Sequence, residues 1–126
     1  VGGALGVDMW AGELILRLKE QPGYGDIELV VVLPFEGHDA KWDERSKRRM
    51  AFLLRMCSDC VVIGKEDCRE SYIKRNCYMV DHADYLVAVY DNERNLMSGT
   101  MQTVRYAERC GLTITFINPD TATVKK

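Results

Sequence analysis

The sequence predicts an α/β fold built around a mainly parallel sheet. Short β-branched segments alternate with longer segments in which apolar residues recur every three or four positions, the spacing of one face of a helix. Three of the four short segments are almost continuously apolar, which is typical of strands covered on both faces. Such alternation predicts βαβ units with right-handed crossovers.

Local signals place each element in order. The first helix is expected to begin at Asp8 and to end near the breaker Gln21-Pro22-Gly23. The second follows Asp43, the third takes Ser71 as its N-cap, and the fourth ends at Gly111 in the C′ position. The predicted strands are residues 27–33, 60–63, 85–90 and 112–117. Residues 1–118 are expected to form the domain, followed by a tail over 119–126.

Composition excludes several functional classes. Lys plus Arg number 17 and Asp plus Glu 19, for a net charge of −2, without the cationic surplus of a protein that coats duplex nucleic acid. No apolar run approaches the ~20 residues that cross a bilayer. Five cysteines with no secretory segment before them indicate free thiols in a reducing cytoplasm. We therefore expect neither a membrane nor a nucleic acid as partner.

The cysteine spacing raises the question of zinc. Cys57 and Cys60 are spaced as a ligand pair, and Cys68 and Cys77 are the other candidates. A zinc ribbon requires a second close pair, whereas Cys68 and Cys77 stand nine positions apart. Cys57 and Cys60 also lie where a predicted helix gives way to a strand, and buried free cysteines are common. We expect no metal site, with both thiols in apolar surroundings.

Two glycine-containing helix starts are candidate phosphate sites. Ligands of open α/β sheets bind beyond the carboxyl ends of the strands. Gly2-Gly3-Ala4-Leu5-Gly6 precedes the first helix, with Asp8 as its cap or as an acceptor for a ribose hydroxyl. Ser98-Gly99-Thr100 stands at the start of the last helix. Backbone N–H groups and the helix dipole favour an anion at such places, although each could be an ordinary turn or N-cap.

Other polar residues are expected near the same edge. Glu36 follows the first predicted strand, as an acceptor for an adenine amine or ribose hydroxyl or as a solvated loop residue. Arg75-Asn76 lies in the third helix, where the arginine could clamp a phosphate or pair with a nearby carboxylate. His38 and His82 lack the neighbours of a nucleophile–base pair, so we interpret both as loop or capping residues.

Several blocks in order resemble the YpsA family, namely residues 2–11, 33–36, 75–81, 86–91 and 98–107. That family belongs to the SLOG superfamily of Rossmann-like proteins, related to the Lonely Guy and lysine-decarboxylase-like proteins. The resemblance implies a three-layer α/β/α fold that binds a nucleotide or a nucleotide-derived ligand. Family members carry a further β–α unit and a strand before the Gly-Gly-Ala block. The chain begins at Val1 without an initiator Met, so we expect that unit to be missing.

Comparison with the Lonely Guy phosphoribohydrolases separates binding from catalysis. Those enzymes pair an arginine with a glutamate in a glycine-rich motif. Arg75 matches the arginine, whereas Thr103 stands where the glutamate would be, and Leu96-Met97-Ser98 replaces the prolyl-diglycine. Threonine cannot supply the carboxylate that assists glycosidic cleavage. The resemblance therefore implies that the binding half of that active site is kept and its acid/base half is lost.

Together these observations predict a cytoplasmic protein that binds a molecule such as ADP-ribose or an NAD-like nucleotide, with no catalytic residue assigned. One alternative is an N-glycosidic nucleotide hydrolase or transferase with Glu36 or Asp81 as the carboxylate. Another is a protein-interaction or single-strand DNA-binding module, which the lack of a basic stripe with interleaved aromatic residues disfavours. A homodimer or higher homo-oligomer is expected, with the apolar stripe of the first helix as a candidate contact.

Overall fold

The computed structural model describes residues 1–90 and 99–126, in which helices and strands alternate. The order is α1 (Val7–Lys19), β1 (Val30–Leu33), α2 (Glu44–Met56), β2 (Asp59–Val62), α3 (Arg69–Asp81), β3 (Tyr85–Val89), α4 (Gly99–Arg109), β4 (Thr113–Ile117) and β5 (Val124–Lys125). The prediction of an α/β fold is confirmed. The chain divides into two compact units, Val1–Ser71 and Tyr72–Lys126. The assignment of one domain to residues 1–118 stays a prediction.

In the first unit, β1 and β2 pair in parallel, with Val30 opposite Asp59 and Leu33 opposite Val62. Helices α1 and α2 contact each other, and Gly12 lets them come close, since a Cβ there would lie 3.1 Å from Leu53 Cδ1. Six buried residues form the core of this unit: Met9, Leu29, Val31, Leu33, Met50 and Leu53. Apolar burial therefore joins the helix pair to β1.

Helix α2 begins where the sequence predicts. The Asp43 side chain accepts a hydrogen bond of 3.1 Å from the Ser46 backbone N–H, which satisfies one donor that the first turn leaves open. The pKa of Asp43 lies below its usual value because the Ser46 side chain, and then the Ser46 backbone N–H, hydrogen-bonds to its carboxylate. The predicted start after Asp43 is confirmed.

Val1 lies alongside β1. Its backbone nitrogen donates to Val30 O at 3.0 Å, and Val32 N donates to Val1 O at 2.9 Å. Val1 thus bonds to Val30 and Val32, two residues that are two positions apart on β1. This is the hydrogen-bond pattern of parallel strands.

In the second unit, β3 pairs in parallel with β4, and β4 pairs antiparallel with β5. Helix α4 ends at Arg109, and Gly111 stands in the predicted C′ position with a φ of +77°. Leu112 N donates to Ala107 O at 3.0 Å, and Gly111 N donates to Glu108 O at 3.1 Å. These two bonds form a Schellman motif, and only glycine adopts such a φ without strain.

Strand exposure differs from the prediction. Val62 in β2 is 46% exposed, and Tyr85 and Val87 in β3 are 75% and 64% exposed. Alternate residues of a strand share one face, so β3 leaves one apolar face uncovered. The prediction that these strands are covered on both faces is wrong in the described chain. The expected burial of Cys60 is wrong for the same reason, since this residue of β2 is exposed while Cys57 is half-buried.

Two local assignments also change. Helix α3 starts at Arg69, so Ser71 lies inside the helix instead of capping it, and its hydroxyl donates to Glu66 O at 2.8 Å. Strand β5 lies within the segment that the sequence indicated as a tail. Of the helices that the structure describes, none has both the length and the apolar character to cross a membrane.

Candidate functional site

The glycine loop before α1 is shaped by two residues with positive φ. Gly3 has a φ of +68° and Gly6 a φ of +80°. Gly2 and Gly3 are buried, whereas Leu5 and Gly6 are exposed. Gly6 occupies the N-cap position of α1, and no side chain bonds to the first turn there. The loop thus brings an uncapped helix start to the surface of the first unit.

Asp8 binds the loop from inside α1. Its Oδ2 atom accepts from the backbone N–H of Gly2 at 3.0 Å and from that of Ala4 at 3.4 Å. The carboxylate is thus the present partner of two N–H groups that the sequence offers to a phosphate. An anion that bound Gly2 and Ala4 would have to displace Asp8, whereas the first-turn N–H groups of α1 have no side-chain cap.

A histidine that sequence reasoning left out of the site lies against this loop. His38 follows β1, and its Nε2 atom lies 2.7 Å from Gly3 O. The His38 ring also meets Trp42 edge-on, with 5.1 Å between ring centroids. Glu36, two positions earlier, is exposed. The position of His38 just beyond the carboxyl end of a strand is the signal that could have included it.

Replacing Gly3 with alanine should destabilise the first unit by about 2–3 kcal/mol. A Cβ at Gly3 would lie 2.7 Å from Leu33 Cδ2, and Leu33 belongs to the core. Left-handed backbone costs an alanine about 1 kcal/mol, and overpacking adds about 1–2 kcal/mol. Urea unfolding followed by circular dichroism measures the change. Gly23→Ala is the control, since its φ is +87° with nothing within 4 Å. Equal losses in the two variants would contradict the overpacking argument.

In the second unit, Arg75 and Asn76 lie beside the start of α4. Arg75 is 7% exposed, its Nε donates to Asn76 Oδ1 at 2.8 Å, and its guanidinium lies 5.7 Å from the centroid of the Tyr72 ring. The amide nitrogen of Asn76 lies 4.0 Å from where a Cβ of Gly99 would stand. The structure therefore brings Asn76 and the first residue of α4 together, with Arg75 hydrogen-bonded to Asn76.

The hydroxyl of Thr103 is engaged by its own helix. Thr103 Oγ1 donates to Gly99 O at 2.9 Å, the back-bond that threonine commonly makes within helices. Thr100 is exposed in the first turn, and Ser98 lies outside the described residues. The proposal that Gly3, Glu36, Arg75 and Thr100 serve one ligand stays a prediction.

The thiols do not form a metal centre in the described chain. Over residues 1–90 and 99–126, no three His, Cys, Asp or Glu side chains are grouped so as to hold a metal ion. Cys60 is exposed, yet partial desolvation, and then the neighbouring Cys57, raises the pKa of its thiol. Burial, and then Asp81, raises the pKa of Cys77. Both shifts favour the protonated thiol, which is a poor metal ligand.

Comparison with known families adds the decisive observation. The YpsA model, described as the YspA SLOG family, matches residues 1–122. The chain belongs to the YpsA family. The family assignment made from the quoted blocks is thereby confirmed, and SLOG membership suggests nucleotide-related binding at the level of the superfamily.

Relatives of this YpsA-family chain are UPF0398 proteins of bacteria. It is 25% identical to one from Staphylococcus epidermidis over 96 residues, 75% of this chain and 50% of the relative. It is 33% identical to one from Shouchella clausii over 94 residues, 73% and 50% of the two chains. It is 29% identical to one from Bacillus cereus over 96 residues, 75% and 51%. The chain thus spans about half the length of the curated relatives it matches.

Proposed function

We propose that this chain binds a nucleotide-derived ligand such as ADP-ribose or an NAD-like molecule. The observation that carries the proposal is the Arg75–Asn76 pair beside the start of α4. A helix N-terminus presents N–H groups and a positive dipole to phosphate oxygens. The adjacent Asn76 amide and Arg75 guanidinium add further N–H donors, whose planar geometry makes their hydrogen bonds directional. Membership of the SLOG family supports a nucleotide as the source of the phosphate.

Each residue has a distinct role in this proposal. The N–H groups of Gly99 and Thr100 meet a phosphate, and the missing side chain of Gly99 leaves room for the Asn76 amide. The bond from Arg75 Nε to Asn76 Oδ1 orients that amide so that its NH₂ group points toward Gly99. Ser98 is proposed to extend the same contact. Arg75 is thus both a charge near the ligand and a positioning residue for Asn76.

The glycine loop of the first unit is proposed to make the same type of contact. The uncapped first turn of α1 supplies N–H donors. Asp8 preorganises the loop through Gly2 and Ala4, and the exposed Glu36 remains the proposed acceptor for a ribose hydroxyl or an adenine amine. The three-layer Rossmann-like arrangement, the homo-oligomer and the cytoplasmic location stay predictions of the family resemblance.

Thr103 supports binding over glycosidic hydrolysis. Its hydroxyl already donates to Gly99 O, and a hydroxyl does not replace a carboxylate as an acid near neutral pH. The hydrolase alternative therefore depends on Glu36 or Asp81. The Asp81 carboxylate accepts a hydrogen bond of 2.7 Å from the Tyr106 hydroxyl, a contact that serves structure within the second unit.

Substituting Asn76 with aspartate is expected to weaken ADP-ribose binding at least tenfold. Aspartate still accepts from Arg75 Nε, so the local structure is kept, but a carboxylate beside Gly99 repels phosphate and lacks the amide donor. Loss of one hydrogen bond to a charged group corresponds to roughly a tenfold change or more. Isothermal titration calorimetry with ADP-ribose and NAD⁺ measures the affinity.

Gln21→Glu provides the matched control, because it makes the same amide-to-carboxylate change on an exposed residue after α1. Absence of binding by the unsubstituted chain to both nucleotides would overturn the proposed function. Unchanged affinity in Asn76→Asp would indicate that the ligand binds away from the start of α4. Chromatography of the titrated samples adds a third readout, since release of free nicotinamide from NAD⁺ or of free adenine from either nucleotide would favour the hydrolase alternative.

A further inference from the structure

A groove separates α3 from α4 in the second unit and has a volume of about 230 Å³. Its polar lining comes from Asn76 on α3 and from Gln102, Thr103, Arg105, Tyr106 and Arg109 on α4. Asn76 and Thr103 thus belong both to the groove and to the surroundings of the α4 start. The other polar lining residues lie on α4, from its first turns to its last turn.

Two arginines give the groove its charge. Arg105 and Arg109 are both exposed and stand one helical turn apart, a spacing at which like charges destabilise a helix. Neither forms an ion pair with any residue that the structure describes. Arg109 lies 5.7 Å from the Tyr106 ring centroid. An anion bound between the two guanidinium groups would offset their repulsion.

Asp81 lies beside the groove, where burial and then the Asp81 carboxylate raise the pKa of the lining residue Cys77. Asp81 accepts from the Tyr106 hydroxyl, and this bond is the main reason why the pKa of Tyr106 is raised. Tyr106 therefore stays neutral at physiological pH and adds no negative charge next to the arginines. The Tyr106 ring and the side chain of Ile73 supply apolar surface for the uncharged part of a ligand.

The spacing along α4 fits a nucleotide that carries an additional phosphate. Thr100 and Arg105 are five positions apart, and at 1.5 Å per residue the helix advances about 8 Å between them. A pyrophosphate at the α4 start and a phosphomonoester on the adjoining ribose are separated by one sugar. A ligand of that kind can contact the helix start and the arginine pair together.

We propose that the groove between α3 and α4 binds a phosphomonoester of the ligand through Arg105 and Arg109, so that the preferred nucleotide carries a phosphate in addition to its pyrophosphate. This inference rests on the proposed function. It names the substrate class more narrowly, because ADP-ribose bearing a 2′-phosphate becomes a better ligand than ADP-ribose itself. Guanidinium groups suit this role because they offer several donors to phosphate oxygens.

Calorimetric titration of the 126-residue chain with ADP-ribose and ADP-ribose 2′-phosphate tests the inference, since the two probes differ only in the phosphomonoester. At about 0.1 M salt we expect the phosphorylated probe to bind tenfold to a hundredfold more tightly. Arg105→Gln and Arg109→Gln should each reduce that preference severalfold and leave the affinity for ADP-ribose within about twofold. Arg17→Gln, an exposed arginine in the last turn of α1, should change neither affinity.

The outcomes separate the inference from the proposed function. Equal affinities for the two probes would overturn the inference and leave nucleotide binding intact. A preference that persists in both Arg105→Gln and Arg109→Gln would also overturn it, because the phosphate would then bind elsewhere. Failure of both probes to bind would overturn the proposed function itself. Circular dichroism of each variant verifies that the substitution leaves the helices formed.

Discussion

Replacing Gly64 with alanine is expected to destabilise the first unit by about 3 kcal/mol or more. Gly64 follows β2, and a Cβ there would lie 2.5 Å from the backbone oxygen of Pro34 and 2.3 Å from Ser71 Oγ. Gly64 N donates to Pro34 O at 2.7 Å, so the oxygen cannot move away without loss of that bond. Ser71 is 4% exposed and its hydroxyl is bonded to Glu66 O. Overpacking on two unyielding sides costs more than the usual 1–3 kcal/mol.

Gly25→Ala is the matched control for this prediction. The same methyl group added at Gly25 meets nothing within 4 Å, and its expected effect is within about 0.5 kcal/mol. Urea unfolding monitored by circular dichroism gives both values, and loss of folded protein in Gly64→Ala alone would agree with the prediction. A Gly64→Ala variant as stable as Gly25→Ala would show that the approach of β1 and the α3 start is looser than described.

Truncation of Leu53 to alanine is expected to cost about 2–5 kcal/mol. Leu53 is fully buried in the first unit, within the cluster that includes Met9 and Met50. Its methyl groups fill the space that Gly12 leaves open on α1, so the truncation creates a cavity between the two helices. Met56→Ala on the same helix is the control, because Met56 is 51% exposed and should change stability by about 0.5 kcal/mol.

The contact between Gly12 and Leu53 allows a second test of how closely α1 and α2 pack. Alanine at Gly12 improves helix propensity by about 1 kcal/mol, but its Cβ would lie 3.1 Å from Leu53 Cδ1. In the Leu53→Ala background that contact is gone, so Gly12→Ala should stabilise by about 1 kcal/mol there and by less in the unsubstituted chain. A double-mutant cycle measures the difference. Equal effects in the two backgrounds would mean that Gly12 and Leu53 are not coupled.

Helix positions could be predicted because their signals are local. Asp43 caps α2 through an N–H group three residues away, and Gly111 closes α4 with bonds that span five residues or fewer. The strands were placed less well, since β1 begins at Val30 instead of residue 27. Strand limits depend on a partner far along the sequence, and β5 forms only because β4 is beside it.

Among the site residues too, only the features with a local sequence signal could be predicted. The presence of glycines before α1 and α4 can be read from the sequence, because a helix start has a local signature. The partners of those residues cannot be read there. Asp8 bonds to its own loop, and Asn76 approaches Gly99 across more than twenty residues. Cys60 likewise shows the spacing of a ligand, whereas its exposure depends on what covers β2.

The contact between His38 and Gly3 fixes a tautomer. A carbonyl oxygen can only accept, so the 2.7 Å distance requires the hydrogen of the neutral ring to be on Nε2. The hydrogen bond thus ties the loop after β1 to the glycine loop through Nε2, and the ring nitrogen that can accept a hydrogen bond from an incoming donor is Nδ1.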